Sequence, residues 1–148
     1  MQMRALGGDD ATALHELDQR CFPPGIAYSR GEIDAALGAR DGFHRGAFVQ
    51  GALAGFILTA PTRSGAGHVI TVDVDARQRR AGIGRALLLA AEAHYRERAA
   101  RAMRLEVAVN NAPALAFYAG LGYRVVRALP GYYARDLDGL RLEKSLPG

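Results

Sequence analysis

The sequence predicts an α/β fold: a central mixed sheet of about seven strands flanked by about four helices. Three observations carry that expectation. From Ala102 to Val109 the residues alternate, with Met103, Leu105, Val107 and Val109 on one side and Arg104, Glu106 and Ala108 on the other, which is the period of a strand. From Ala81 to about Ala100, Ile83, Leu87, Leu88, Ala91 and Tyr95 form the wide apolar stripe of a helix lying on a sheet. Extended and helical segments follow one another as β-α-α-β-β-β-α-β-α-β-β, which one mixed sheet with helices on its faces accommodates.

Taken in order, Met1 to Leu6 reads as a first strand. Asp9 or Asp10 caps a helix in which Leu14, Leu17 and Cys21 recur at helical spacing, and Phe22-Pro23-Pro24-Gly25 ends it because proline cannot continue a helix. Ser29-Arg30-Gly31-Glu32 is a capping box that opens a second helix running to Gly38. Ala47 to Val49 and Leu53 to Thr59, joined at Gln50-Gly51, form a hairpin, and His68 to Val74 another strand. After the long helix and the alternating strand, Asn111 caps a helix that accepts Pro113 in its first turn and closes at Gly120 to Gly122. Tyr123 to Leu129 and Leu137 to Leu146 are the last two strands.

A chain of 148 residues fits one domain, 1–148, with a substantial core. Apolar residues at 49% and charged ones at 23% argue against disorder. The single cysteine, Cys21, excludes a disulfide framework, and His15, His44, His68 and His94 lack ligand spacing, so no metal is expected. The N-terminus has no apolar signal region, and the charge-free stretch Gly46 to Thr62 is too short to cross a membrane. A cytoplasmic protein without a membrane partner follows as the expectation. The net charge of +4 favours anionic ligands without identifying one.

Three groups of residues carry chemistry. Arg77-Gln78-Arg79-Arg80-Ala81-Gly82-Ile83-Gly84-Arg85 joins a strand to the long helix. Gly82 and Gly84 lack the Cβ atoms that would shield the backbone, and the free N–H groups at a helix start converge on an anion such as a pyrophosphate. A glycine-rich turn with a solvated basic face fits the same residues. Asn111 and Tyr118 project from one helix face, roughly 10 Å apart along the axis; a helix cap and a core tyrosine explain them equally. Glu106 stands in an apolar strand, either in an ion pair with Arg104 or, partly buried, with a raised pKa that suits it to accept a proton.

Together these motifs resemble the GNAT superfamily of acetyl-CoA-dependent N-acetyltransferases. The residues that carry the likeness are Arg79-x-x-Gly82-x-Gly84 after a Val-Asp-Val strand, Leu105-Glu106-Val107, Asn111-x-x-Ala114-x-x-Phe117-Tyr118 and Leu121-Gly122-Tyr123. The likeness is greatest to the ribosomal-protein-alanine acetyltransferase branch. It is strong over about residues 68 to 127, and the element order extends it to the GNAT acyl-CoA N-acyltransferase fold over nearly the whole chain.

The resemblance implies acetyl-CoA as the donor, with no metal, and an amine acceptor that includes a protein N-terminus. It places the cofactor on Val72, Asp73, Val74, Arg79, Arg80, Ala81, Gly82, Ile83, Gly84, Arg85, Asn111 and Tyr118. Tyr118 then protonates the departing thiolate, and Glu106 accepts the amine proton. The segment from Phe22 to Ser29 resembles the acceptor-side loop, and Tyr132-Tyr133 the tyrosine pair before the last strand, so Phe22, Tyr28, Tyr132 and Tyr133 are the expected acceptor contacts. Asp75 stands where many relatives have proline, and Ala108 where the branch has a basic residue. A small amine or an aminoacyl-tRNA is the alternative acceptor, and a non-catalytic acyl-CoA-binding module the alternative function; other nucleic-acid binding is not expected.

Overall fold

The computed structural model describes residues 1–147. Its elements are β1 (Gln2–Ala5), α1 (Ala11–Cys21), α2 (Arg30–Leu37), β2 (His44–Val49), β3 (Ala52–Pro61), β4 (Ala66–Val74), α3 (Ile83–Glu97), β5 (Ala102–Ala108), α4 (Ala112–Gly120), β6 (Arg124–Ala134) and β7 (Leu137–Ser145). The seven strands form one sheet in the order β1-β2-β3-β4-β5-β7-β6. Every pairing is antiparallel except β4 with β5. A mixed sheet results because α3 carries the chain back across it between those two strands.

Each face of the sheet buries its own cluster. On one face Ile83, Leu87, Leu88, Ala91 and Tyr95 of α3 pack with Ile57, Val69, Met103, Leu105 and Val107. On the other, Leu14 and Leu17 of α1 and Ile33 of α2 pack with Phe56 and Leu58. The change of partner along β4 comes from a bulge. Thr59 pairs with Val69 and Leu58 with Thr71, so Ile70 is an extra residue and inverts the facing of everything after it. Ile70 consequently lies with the α1–α2 cluster, while Val72 and Val74 lie with the α3 cluster.

Local chemistry explains most boundaries. Ser29 accepts from the Glu32 N–H at 3.1 Å, and Glu32 accepts from the Ser29 N–H at 2.9 Å, completing the expected box. Several expectations are corrected. Asp10 does not cap α1 through its side chain; its carboxylate accepts from the Gly7 N–H and pairs with Arg4 at 3.0 Å. Helix α3 starts at Ile83 and ends at Glu97, because Gly82 at φ 81° and Ala99 at φ 62° lie in the left-handed region. Strand β5 stops at Ala108, which is buried, and Val109 is exposed rather than aligned with Met103, Leu105 and Val107. Tyr132 and Tyr133 lie within β6, which runs longer than its apolar run suggests.

Among the described residues, no helix is long and apolar enough to cross a membrane. Packing is tight where β4 meets β5 and α3. A Cβ built on Gly67 would lie 2.6 Å from the Tyr95 ring and 2.9 Å from the Met103 sulfur. Tyr95 cannot withdraw freely, since its hydroxyl is 2.8 Å from Thr59 Oγ1. Gly67→Ala is therefore expected to lower stability by about 1–3 kcal/mol through overpacking, read as a lower urea midpoint with an unchanged slope.

Candidate active site

The sheet opens between β4 and β5. The two strands pair only through Ala66–His68 against Ala102–Arg104, and then part. The Asp75 N–H donates to the Ala54 carbonyl on β3 at 2.8 Å. By strand alternation, the main-chain groups of Val74 and Val72 face the gap instead. The Val74 carbonyl accepts from Arg79 Nε at 3.2 Å and from Cys21 Sγ at 3.5 Å, so its N–H is the polar group of Val74 left toward the gap. Asp73 departs from its expected place: its main chain serves β3 opposite Phe56, and its carboxyl is buried against Thr71.

At the end of β4 the chain forms a cradle. Asp75 caps a short turn, Ala76–Gln78, by accepting from the Arg77 N–H at 3.0 Å, and it pairs with Arg77 at 3.3 Å and Arg20 at 3.5 Å. Its hydrogen bonds to Arg77 hold the carboxyl below the ordinary carboxylate range. Arg80 (φ 70°) and Gly82 (φ 81°) then turn left-handed, which aims successive N–H groups to one side. The first intrahelical bond runs from the Ala86 N–H to Gly82. The N–H groups of Ile83, Gly84 and Arg85 thus stand at the positive end of α3 without intrahelical partners.

The two glycines divide the work differently from expectation. Around a Cβ at Gly82 there is nothing within 4 Å, so glycine is required there for its left-handed backbone. At Gly84 a Cβ would meet Phe117 at 3.3 Å and Val74 at 3.4 Å, so the absent side chain lets α3 approach β4 and α4 closely. Arg80, Ala81 and Arg85 are exposed at the rim, whereas the Ile83 side chain is buried in the core.

Glu106 faces the α1–α2 side of the gap. Its carboxylate accepts from Arg141 Nε at 3.1 Å and lies 2.6 Å from His68 Nε2. Arg104 is not its partner; it pairs with Glu143 at 3.4 Å. Burial pushes the Glu106 carboxyl upward, but the hydrogen bonds and charges of His68 and Arg141 outweigh it and leave it below the ordinary value. The expected rise is corrected: partial burial is present, and two cationic or polar neighbours reverse its effect. His68 was no sequence candidate, because only the sheet register brings β4 and β5 side chains together.

On the opposite face, Tyr118 of α4 packs against Tyr123 with ring centroids 5.8 Å apart. Burial, then the fields of Asp73 and Tyr133, raise its phenol further above neutrality. It therefore remains protonated and able to donate. Asn111 caps α4, its Oδ1 accepting from the Ala114 N–H at 3.2 Å, so the residue precedes the helix and its oxygen serves the backbone.

The tyrosines expected at the acceptor side gather near Glu106. The Tyr28 hydroxyl donates to the Ile70 carbonyl at 3.0 Å, using the bulge that frees this group from β3. Tyr132 and Tyr133 stack edge to face at 4.9 Å. After burial, the pKa of Tyr28 is raised by Tyr132, Asp18 and Glu106, and that of Tyr133 by Tyr132, Tyr28 and Glu106, which places the group in one field. Gly139, which the sequence reading missed, makes room: a Cβ there would lie 3.1 Å from Tyr132 and 3.2 Å from the Tyr133 ring. Phe22 stays at the end of α1, half-buried, without a described contact to this cluster.

Comparison with known proteins agrees with this geometry. A model of the Acetyltransferase (GNAT) family matches residues 11–123. An N-alpha-acetyltransferase of Sulfurisphaera tokodaii is 42% identical over 53% of this chain and 47% of its own, so this chain spans about half of that relative. An uncharacterized N-acetyltransferase of Methanocaldococcus jannaschii is 31% identical over 99% of this chain and 93% of its own. In structure, the ribosomal-protein-S18-alanine N-acetyltransferase of Escherichia coli superposes with a TM-score of 0.89, at 23% identity, covering 99% of this chain and 94% of that one.

Behind β4, the buried Asp73 and Asp18 carboxyls adjoin, and each has one oxygen without another partner among the described residues. Burial, then the hydrogen bond and charge of Asp18, hold the Asp73 pKa well above its ordinary value. The native protein thus keeps a proton that the unfolded chain releases. This stabilisation is complete below the ordinary carboxylate pKa and is lost as pH rises through the elevated native value. In urea unfolding across that range, Asp73→Asn should show a smaller loss of stability with rising pH than the native chain.

Proposed function

This chain belongs to the GNAT family of acetyltransferases, and on that premise we propose that it transfers the acetyl group of acetyl-CoA to a primary amine by direct attack in a ternary complex. The acceptor we assign is the N-terminal α-amine of a protein or peptide. The observation that carries this reading is the opening between β4 and β5, with an anion cradle at one end and, on the acceptor side, a carboxylate held by His68 and Arg141 whose field reaches Tyr28, Tyr132 and Tyr133.

Each part has a role. The unpartnered edge of β4 at Val72 and Val74 pairs with the pantetheine arm as an added strand would. The N–H groups of Ile83, Gly84 and Arg85, with Arg80 and Arg85 at the rim, hold the pyrophosphate. A β4 main-chain N–H facing the gap, that of Val72 or Val74, stabilises the oxyanion of the tetrahedral intermediate. Tyr118 donates its proton to the departing thiolate. Glu106 supplies the negative charge that draws a proton from the attacking amine, and an α-amine with a pKa near ~8 needs only modest help.

Support for a peptide acceptor comes from the tyrosine cluster at Tyr28, Tyr132 and Tyr133, whose broad rings suit a main chain and small side chains. The activities of the Sulfurisphaera N-alpha-acetyltransferase and the Escherichia ribosomal-protein-S18-alanine N-acetyltransferase point the same way.

Two outcomes test this reading. Tyr118→Phe and Glu106→Gln are each expected to lower kcat by about 100-fold, while the acetyl-CoA Kd from calorimetry stays within about threefold. Unchanged rates in both variants would remove the assigned acid and carboxylate. In a thiol-release assay over peptides, polyamines, aminoglycosides and aminoacyl-tRNA, peptides should give the highest kcat/KM. Acetyl-CoA binding without turnover on any amine would point instead to a binding module.

A further inference from the structure

We propose that His68 is the base that receives the proton of the attacking amine, and that Glu106 is the positioning carboxylate behind it. The proposal rests on the acetyl-transfer reading above and concerns which atom carries the proton.

His68 holds the last paired position of β4, opposite Arg104, just before the two strands part. Its Nε2 lies 2.6 Å from Glu106 Oε1, and the other carboxylate oxygen of Glu106 takes Arg141 Nε at 3.1 Å. Both oxygens of Glu106 therefore already hold a donor. The Glu106 side chain is 8% exposed and the His68 side chain 32%, so the imidazole is the outer member of the pair. Protonating Glu106 would weaken its bond to Arg141 and leave that guanidinium poorly compensated.

The imidazole has no such obstacle. With Glu106 ionised, Nε2 must carry a hydrogen to make the short contact, which leaves the lone pair on Nδ1. Nδ1 has no hydrogen-bond partner among the described residues. Around the pair stand Arg104 on β5 with its partner Glu143 on β7, Arg141 on β7, and the neutral phenols of Tyr28, Tyr132 and Tyr133, which share the field of Glu106. Glu106 directly faces the ring.

The step balances. The amine lone pair forms the N–C bond to the acetyl carbonyl while the C=O π pair moves onto oxygen, and the amine N–H proton passes through bridging water to His68 Nδ1. The oxyanion then re-forms C=O as the C–S bond breaks, and the sulfur takes the proton of Tyr118. Solvent takes up the imidazolium proton and reprotonates the phenolate, leaving amide and free thiol.

The test pairs two acceptors: an alanine-initiated peptide, and the same peptide bearing an N-terminal aminooxyacetyl group, whose nitrogen is unprotonated at neutral pH. His68→Gln keeps a donor for Glu106 but provides no base, and His68→Ala leaves space for free imidazole. Both are expected to lower kcat/KM on the amine peptide by about 100-fold and on the aminooxy peptide by less than about tenfold. Acetyl-CoA affinity should hold, and added imidazole should restore part of the rate of His68→Ala. Independently, nitrogen NMR of the native protein at pH 8 should show the Nε2–H tautomer at His68. Equal losses on both acceptors without imidazole rescue, or an Nδ1–H tautomer, overturn the assignment and leave acetyl transfer standing. Native protein that cleaves acetyl-CoA with no amine overturns both.

Discussion

The controlling constraint is the interruption of one strand pair. β4 and β5 share hydrogen bonds only from Ala66 to His68 and Ala102 to Arg104, and beyond that point each strand keeps its outer neighbour. Polar main-chain groups inside a protein need partners, so a gap lined with them is a demand for a ligand that can behave like a strand. The bulge at Ile70 adds to the effect: it turns Val72 and Val74 toward α3 and releases the Ile70 carbonyl to the Tyr28 hydroxyl.

The two faces of the gap are electrostatically distinct. Toward α3 and α4 lie the main-chain donors at the start of α3 and a phenol, Tyr118, that burial keeps protonated. Toward α1 and the β6–β7 hairpin lies an ionised carboxylate held by His68 and Arg141. In the proposed transfer, the nucleophile that loses a proton and the leaving group that gains one are served from opposite sides. Tight packing keeps these sides in place. Gly84 brings α3 against Val74 and Phe117, and Gly139 lets Tyr132 and Tyr133 lie across β7.

Carboxylates in this protein owe their behaviour to burial and to their neighbours together. Asp73 is pushed up by burial and then by the adjoining Asp18; Asp75, beside Arg77, is held down; Glu106 feels burial against its bonds to His68 and Arg141, and these win. Glu92, on the helical face that sequence periodicity marks as apolar, is buried with Lys144 at 2.8 Å and the Tyr123 hydroxyl at 2.8 Å. None of these partners is close in the chain to the residue it serves, apart from Arg77 beside Asp75.

Much of the fold was legible because its signals are local. The capping box at Ser29, the alternation through Met103, Leu105 and Val107, the stripe on α3 and the glycine pattern at Gly82 and Gly84 depend on residues within a turn or two of one another. Those same signals placed the anion cradle and marked Glu106 and Tyr118. Register decided what spacing could not: that Glu106 faces His68 and Arg141 rather than Arg104, that Asp73 turns its main chain to β3, and that Gly139 seats two tyrosines. Strand partners lie tens of residues apart, and a single bulged residue reverses which face a side chain occupies. Periodicity along the chain therefore determined the elements, and the pairing between them determined the charge state of the site.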